Sequence, residues 1–151
     1  MNVYDTLKQL GLELPPLPPK GGIYKPVKQV GNLLYISGQG ATHEGIPVLE
    51  GKLGKECSVD QGQEAARICA LNALSVLHDY LGDLNQVRSL VKMLAFVASA
   101  DDFNQQPIVA NGASQLLKDL YGENGVGARS AIGVNELPGN IPVEIEFIFE
   151  I

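Results

Sequence analysis

The residues that close the chain, Val143-Glu144-Ile145-Glu146-Phe147-Ile148-Phe149-Glu150-Ile151, alternate between apolar and mostly acidic side chains. A period of two is the signature of a β-strand, and here one face is wholly apolar while the other carries Glu144, Glu146, Ile148 and Glu150. Such a strand requires a sheet with one side packed under a second layer. Shortly upstream, Gly127-Ala128-Arg129-Ser130-Ala131-Ile132-Gly133-Val134 is an apolar segment holding a single arginine. A guanidinium stays charged at any ordinary pH and offers five donors in a rigid fork, so it calls for an anion. Glu144 is one candidate and a substrate carboxylate another. Taken alone, outward glutamates and a structural ion pair are the ordinary use of these residues.

Two helices can supply the second layer. From about Val59 to Leu81, Ala66, Ala70, Ala73, Leu74, Leu77 and Leu81 fall on one side, with Asp60 and Glu64 near the start, where acids suit the helix dipole, and Gly82 as a stop. Between Ile108 and Tyr121, Val109, Ala113, Leu116, Leu117 and Leu120 keep a 3.6-residue period, ended by Gly122. Further strands are expected over residues 24 to 30 and 33 to 38, joined by Gly31-Asn32, and over residues 128 to 135. Residues 87 to 98 read as a long apolar strand covered on both faces. Residues 40 to 54 read as loop with room for a short strand at 46 to 49. The order strand, strand, helix, strand, helix, strand, strand predicts an α+β fold, a mixed sheet with two helices packed on one face. The other face would then expose Ile132 and Ile148 beside the acids, which marks it as an interface.

Ahead of this pattern, Val3, Leu7 and Leu10 are spaced for a short helix, which Pro15-Pro16-Leu17-Pro18-Pro19 must end. Residues 1–21 thus read as an N-terminal extension with an extended linker wrapped on the domain, rather than as an SH3-type ligand, and residues 22–151 as the domain itself. A chain of 151 residues has room for one full core. Its net charge of −6, with no basic run, makes nucleic acid an unfavourable partner. Cys57 and Cys69 have no framework spacing and read as free thiols. With no leader-like start and no apolar run near the ~20 residues that a spanning helix needs, a cytoplasmic protein without membrane contact is expected. His43 and His78 have no ligands at metal spacing, and phosphate-loop, dinucleotide and nucleophile-elbow motifs are missing, so neither metal nor cofactor is expected.

Ala128-Arg129-Ser130, Leu137-Pro138 and Val143-Glu144-Ile145-Glu146 resemble, in order and spacing, the C-terminal motif of the RidA (YjgF/YER057c/UK114) family. Gly31-Asn32-Leu33-Leu34-Tyr35-Ile36-Ser37-Gly38-Gln39 resembles its first signature, a strand ending in Ser-Gly-Gln. The resemblance spans roughly residues 22 to 151. It implies a chorismate-mutase-like α+β fold and a homotrimer whose sheets face inward, with ligand clefts between adjacent subunits. It further implies that Arg129 binds the carboxylate of an amino-acid-derived imine and that Glu144 places a water. Tyr24 would wall the pocket, Ser37 and Gly38 would come from the Ser-Gly-Gln motif, and Asn111 would line the far side. Each also has a plain structural use: an edge aromatic, a turn, and a helix-start residue satisfying backbone donors. Residues 137–140 are expected to turn between two neighbouring strands that carry Arg129 and Glu144 to one place, and Arg129 to serve as a cationic partner for acids buried on the sheet's second face.

Two departures stand out: Ala131 occupies a position where the family often has cysteine, and Gly22-Ile23 replaces its usual glycine-proline. The activity that the resemblance implies is that of an enamine/imine deaminase, a cofactor-free hydrolase turning 2-imino acids into 2-oxo acids and ammonia. A non-enzymatic module that binds a small carboxylate such as a 2-oxo acid is the alternative. A nuclease or translation inhibitor, a label some of the family carry, gains nothing from the acidic balance. The site is expected at the subunit boundary, with the monomer inactive.

Overall fold

A computed structural model describes residues 2–151. Helix α1, Val3–Gln9, starts where the Asn2 side chain accepts the Tyr4 N–H. Its Val3 and Leu7 are buried in the core, while Leu10 ends the helix and is exposed. The Tyr4 hydroxyl accepts the Leu84 N–H at 2.8 Å and meets His78 Nδ1 at 2.8 Å, tying this first helix to the rest of the molecule. The proline-rich stretch that follows has no regular structure and is pinned by the Ser75 hydroxyl, which donates to the Pro15 carbonyl at 2.8 Å.

Strand β1 (Val27–Val30) turns through Gly31, φ 60°, into β2 (Leu33–Gly40). The first strand begins three residues later than its sequence suggests, because residues 21–26 curl on themselves: the Gly21 N–H donates back to the Tyr24 hydroxyl at 3.0 Å. A small separate hairpin pairs β3 (Thr42–His43) with β4 (Ile46–Pro47). Helix α2 runs from Val59 to Leu81, opened by a reciprocal capping box between Ser58 and Gln61 and closed by Gly82 in the left-handed region. A short 3-10 turn leads to β5 (Ser89–Ala98) and then to α3 (Gln106–Tyr121), with Pro107 in its first turn. Strands β6 (Ala128–Val134) and β7 (Val143–Glu150) complete the chain.

The five-stranded sheet has the order β1-β2-β7-β5-β6. Only β5 and β6 are parallel to one another; the remaining neighbours are antiparallel. Val143, Ile145, Phe147 and Phe149 of β7 are all buried, as their alternation requires, together with Leu34, Ile36, Met93, Ala95 and Val97 of the adjoining strands. Both long helices pack on this face, so the mixed sheet with two helices on one side is observed. The helices approach closely: a Cβ on Gly112 would lie 1.9 Å from the Gln63 carbonyl oxygen, and the Gln63 side chain donates to the Ile108 carbonyl across the same contact.

Two expectations about strands need correction. Strands β6 and β7 are not neighbours, because β6 joins parallel to β5 at the sheet edge and leaves β5 between them. Nor is β5 covered on both faces within one chain: Met93, Ala95 and Val97 are buried, whereas Val91 and Lys92 are exposed on the bare side. That bare side also shows Tyr35 and Ile132, each more than 40% exposed, and with Ile148 they form the uncovered face that the strand pattern anticipated.

Candidate functional site

Register decides where each candidate side chain lies. Arg129 pairs with Met93, which pairs in turn with Phe147, so all three point toward the helices. Glu144 pairs with Phe96 and lies on the bare face. Two strand spacings, ~10 Å, and three residues of strand rise, ~10 Å, separate the two positions. Within one chain Arg129 and Glu144 therefore do not meet, and the turn at residues 137–140 does not join them. The expected pairing of Arg129 with the acids of the bare face is likewise not made inside the chain; among the described residues no carboxylate lies within 4.0 Å of its guanidinium.

What the structure brings together instead is two separate groups. The first is built by β6 and α3. Arg129 Nη1 donates to Asn111 Oδ1 at 2.7 Å and to Ser114 Oγ at 3.1 Å, and Nη2 donates to the Pro107 carbonyl at 3.3 Å. These bonds use three of the five donors and leave Nε–H and one Nη2–H, on adjacent nitrogens, for an acceptor with two oxygens. Asn111 is in the second turn of α3 and is thus not a helix-start cap; that position belongs to Gln105. Ser114, one helical turn beyond Asn111 and on the same face, was missed in the sequence, because in an amphipathic helix that also carries Gln115, Lys118 and Asp119 it reads as one more polar-face residue. The arginine stands in the wall of an open groove of about 900 Å³ that runs beside α3.

The second group lies on the bare face and at the loop before β1. Pairing between β2 and β7 slips at residues 37 and 38: Ile36 faces Phe147 while Gln39 faces Ile145, so β2 spends one extra residue there and forms a bulge. The Ser37 hydroxyl donates to the Lys25 carbonyl at 2.7 Å, and its N–H to the Pro26 carbonyl, which fixes the loop carrying Tyr24 against the bulge. At position 38 the absence of a side chain leaves room for the acid: a Cβ there would lie 2.7 Å from Glu144 Oε2 and would push that carboxylate aside. The Glu144 carboxylate thus lies over bare backbone. Burial, and secondarily the charge of Glu146, pushes its pKa above the ordinary glutamate value. Tyr24 is 43% exposed, its hydroxyl held by Gly21.

Chemically, the first group is a positioned cationic fork that can grip a carboxylate, and the second a half-buried acid that can hold or move a proton on a water. No cluster of three or more histidine, cysteine or acidic side chains able to hold a metal occurs among the described residues. Among the same residues no helix is long and apolar enough to cross a membrane.

This fold, with an arginine at the edge strand and an acid beside a Ser-Gly bulge, defines a class. A family profile described as "YjgF/chorismate mutase-like, putative endoribonuclease" matches residues 5–149, and the chain belongs to this YjgF/RidA family. It is 38% identical over 150 residues to Protein TCP17 of Trypanosoma cruzi, covering 99% of this chain and 94% of that one. The crystal structure of Atu1372 from Agrobacterium tumefaciens is 41% identical, with a TM-score of 0.90 and coverage of 99% and 91% of the two chains. RidA from an Antarctic Psychrobacter is 29% identical, with a TM-score of 0.60 and coverage of 89% and 94%.

Proposed function

We propose that the protein hydrolyses 2-imino acids to 2-oxo acids and ammonia, at a site completed by two copies of the chain. The observation that carries this reading is the state of Arg129: three bonds to α3 hold its fork in place, while two adjacent donors stay open and no carboxylate among the described residues lies within 4.0 Å of it. A small carboxylate supplies the missing anion by a bidentate, charge-assisted contact. Glu144, from the bare face of a second copy in a homotrimer, orients the water that attacks the imine carbon, and the tetrahedral adduct loses ammonia. Tyr24 and the Ser37-Gly38 bulge of that second copy form the wall opposite Asn111. An imine is already labile in water, so orientation of substrate, acid and water suffices, without a metal or cofactor.

Arg129 and Glu144 lie on opposite faces of one sheet, which is why the reading needs two copies. The endoribonuclease in the family's description is the less favoured activity for this chain, whose net charge of −6 gives a phosphate backbone no general attraction. The deciding assay follows 2-iminopropanoate generated in situ. Micromolar wild-type protein should clear it well above the spontaneous rate, Arg129→Ala should not, and Glu144→Gln should lose turnover while still binding pyruvate. A wild type that binds pyruvate but leaves the imine to decay spontaneously would instead identify a carboxylate-binding module.

A further inference from the structure

The Ser37-Gly38-Gln39 run ends in a glutamine that the site described above does not use. Gln39 pairs with Ile145, which is buried under the helices, so Gln39 lies on that same inner face and is itself buried. Its amide donates to the Ser37 carbonyl at 3.1 Å, across Gly38. From α2, Asn72 reaches the same stretch of backbone, donating to the Gly40 carbonyl at 3.0 Å and to the Thr42 carbonyl at 2.8 Å. Asn72 is 1% exposed, and its helical neighbours Cys69, Ala73 and Val76 are buried as well. Carboxamides in such places lose their hydration, a cost that only good hydrogen bonds offset, and leucine or methionine would fill the space without it. What the two amides do, and an apolar side chain would not, is bind three carbonyls on either side of Gly38.

Those carbonyls belong to the backbone beside Glu144. Gly40 is the register partner of Glu144, and Gly38 lies so close to the carboxylate that a Cβ there would be 2.7 Å from Oε2. A bulge interrupts the ladder that holds the rest of a strand, so its shape depends on such extra bonds. Cys69, one turn before Asn72 on α2, adds a weak bond from its thiol to the Val143 carbonyl at 3.4 Å, next to Glu144 in the chain. One turn of α2 thus reaches both β2 and β7 at the level of the acid, from the face opposite to it.

We propose that Gln39 and Asn72 are positioning residues for Glu144, fixing from the helix side the bulge over which its carboxylate lies. The inference rests on the reading of Glu144 as the acid that orients water, and it adds what holds that acid in place. Both amides act through the backbone from the inner face. They set how closely it covers the carboxylate, and so the burial that is the larger cause of its raised pKa. The register partners of Glu144, Gly40 and Phe96, carry no charge, and Glu146 is its charged neighbour on the same strand. Loosening the bulge admits water and lets the pKa fall toward that of an ordinary glutamate.

Imine turnover against pH, with pyruvate binding measured in parallel, tests this in Gln39→Met and Asn72→Leu. Both should stay folded and bind pyruvate as wild type does, lower kcat about tenfold, the order expected for a slightly misplaced catalytic group, and move the acid limb to lower pH. Where Asn72→Leu does not fold, Gln39→Met, which gives up a single bond, decides. A folded Gln39→Met with wild-type kcat and an unmoved limb would overturn the proposal. So would loss of folding in both variants, or turnover and pyruvate binding that fall together with no shift of the limb, since either marks a role in the fold alone. Glu144→Gln, measured alongside, keeps the two readings apart. Full turnover there would remove the role of Glu144 itself, whereas lost turnover there beside an unaffected Gln39→Met would overturn the positioning alone.

Discussion

Glu144 is the residue whose behaviour depends most on its surroundings. Half-buried over Gly38 and two residues from Glu146, it gives up its proton less readily than an exposed glutamate. If its carboxylate form orients the attacking water, the acid limb of the pH–rate profile lies above the ordinary glutamate range, since activity is lost as pH falls through the raised pKa. Removing the neighbouring negative charge eases ionisation, so in Glu146→Gln the limb should move to lower pH. It should remain above the ordinary range, because burial, the larger cause, persists. A limb that stays in place in Glu146→Gln would separate Glu144 from the rate. Much at this scale was visible in the sequence: the lone arginine, the acid on the far side of an alternating strand, and the Ser-Gly pair. Hidden was the meaning of the Ser-Gly pair, because a bulge is defined by what faces it on another strand. Asn72 was hidden likewise: buried within the apolar side of α2, it donates to the carbonyls of Gly40 and Thr42 and holds the end of β2.

Elements whose ends are encoded locally agree with their sequence reading to the residue. Helix α2 does so because Ser58, Gln61 and Gly82 are capping signals inside the sequence itself. Strand order behaves differently: that β6 docks beside β5 and not β7 depends on pairing between distant segments, which no local pattern records. The α2–α3 contact is equally non-local. Gly112→Ala places a methyl against the Gln63 backbone, which cannot swing aside as a side chain would. Overpacking of this kind costs about 1–3 kcal/mol, and a lower denaturation midpoint in urea is expected. Helix α1 offers a second check. Leu7 is 3% exposed in the common core, so Leu7→Ala should destabilise the whole domain by ~2–4 kcal/mol in a single transition. A variant as stable as wild type would make the first helix a loose appendage.

For the whole molecule, the governing fact is that one chain holds two incomplete groups on opposite faces of a single sheet. One has a cation that meets no carboxylate among the described residues, and the other a half-buried acid beside the Ser37-Gly38 bulge. The bare face exposes Tyr35 and Ile132 beside Ile148, an apolar surface of the kind that partners cover, and on the proposed reading a closed ring of copies would bring the arginine of each to the acid of the next. This is the central claim, and subunit mixing tests it most directly. Arg129→Ala and Glu144→Gln proteins, each inactive alone, are dissociated, mixed in equal amounts and allowed to reassociate. Random assembly puts an intact arginine opposite an intact acid in about one cleft in four, so roughly a quarter of wild-type imine turnover should return. No recovery after subunit exchange has been demonstrated would contradict a site shared between copies.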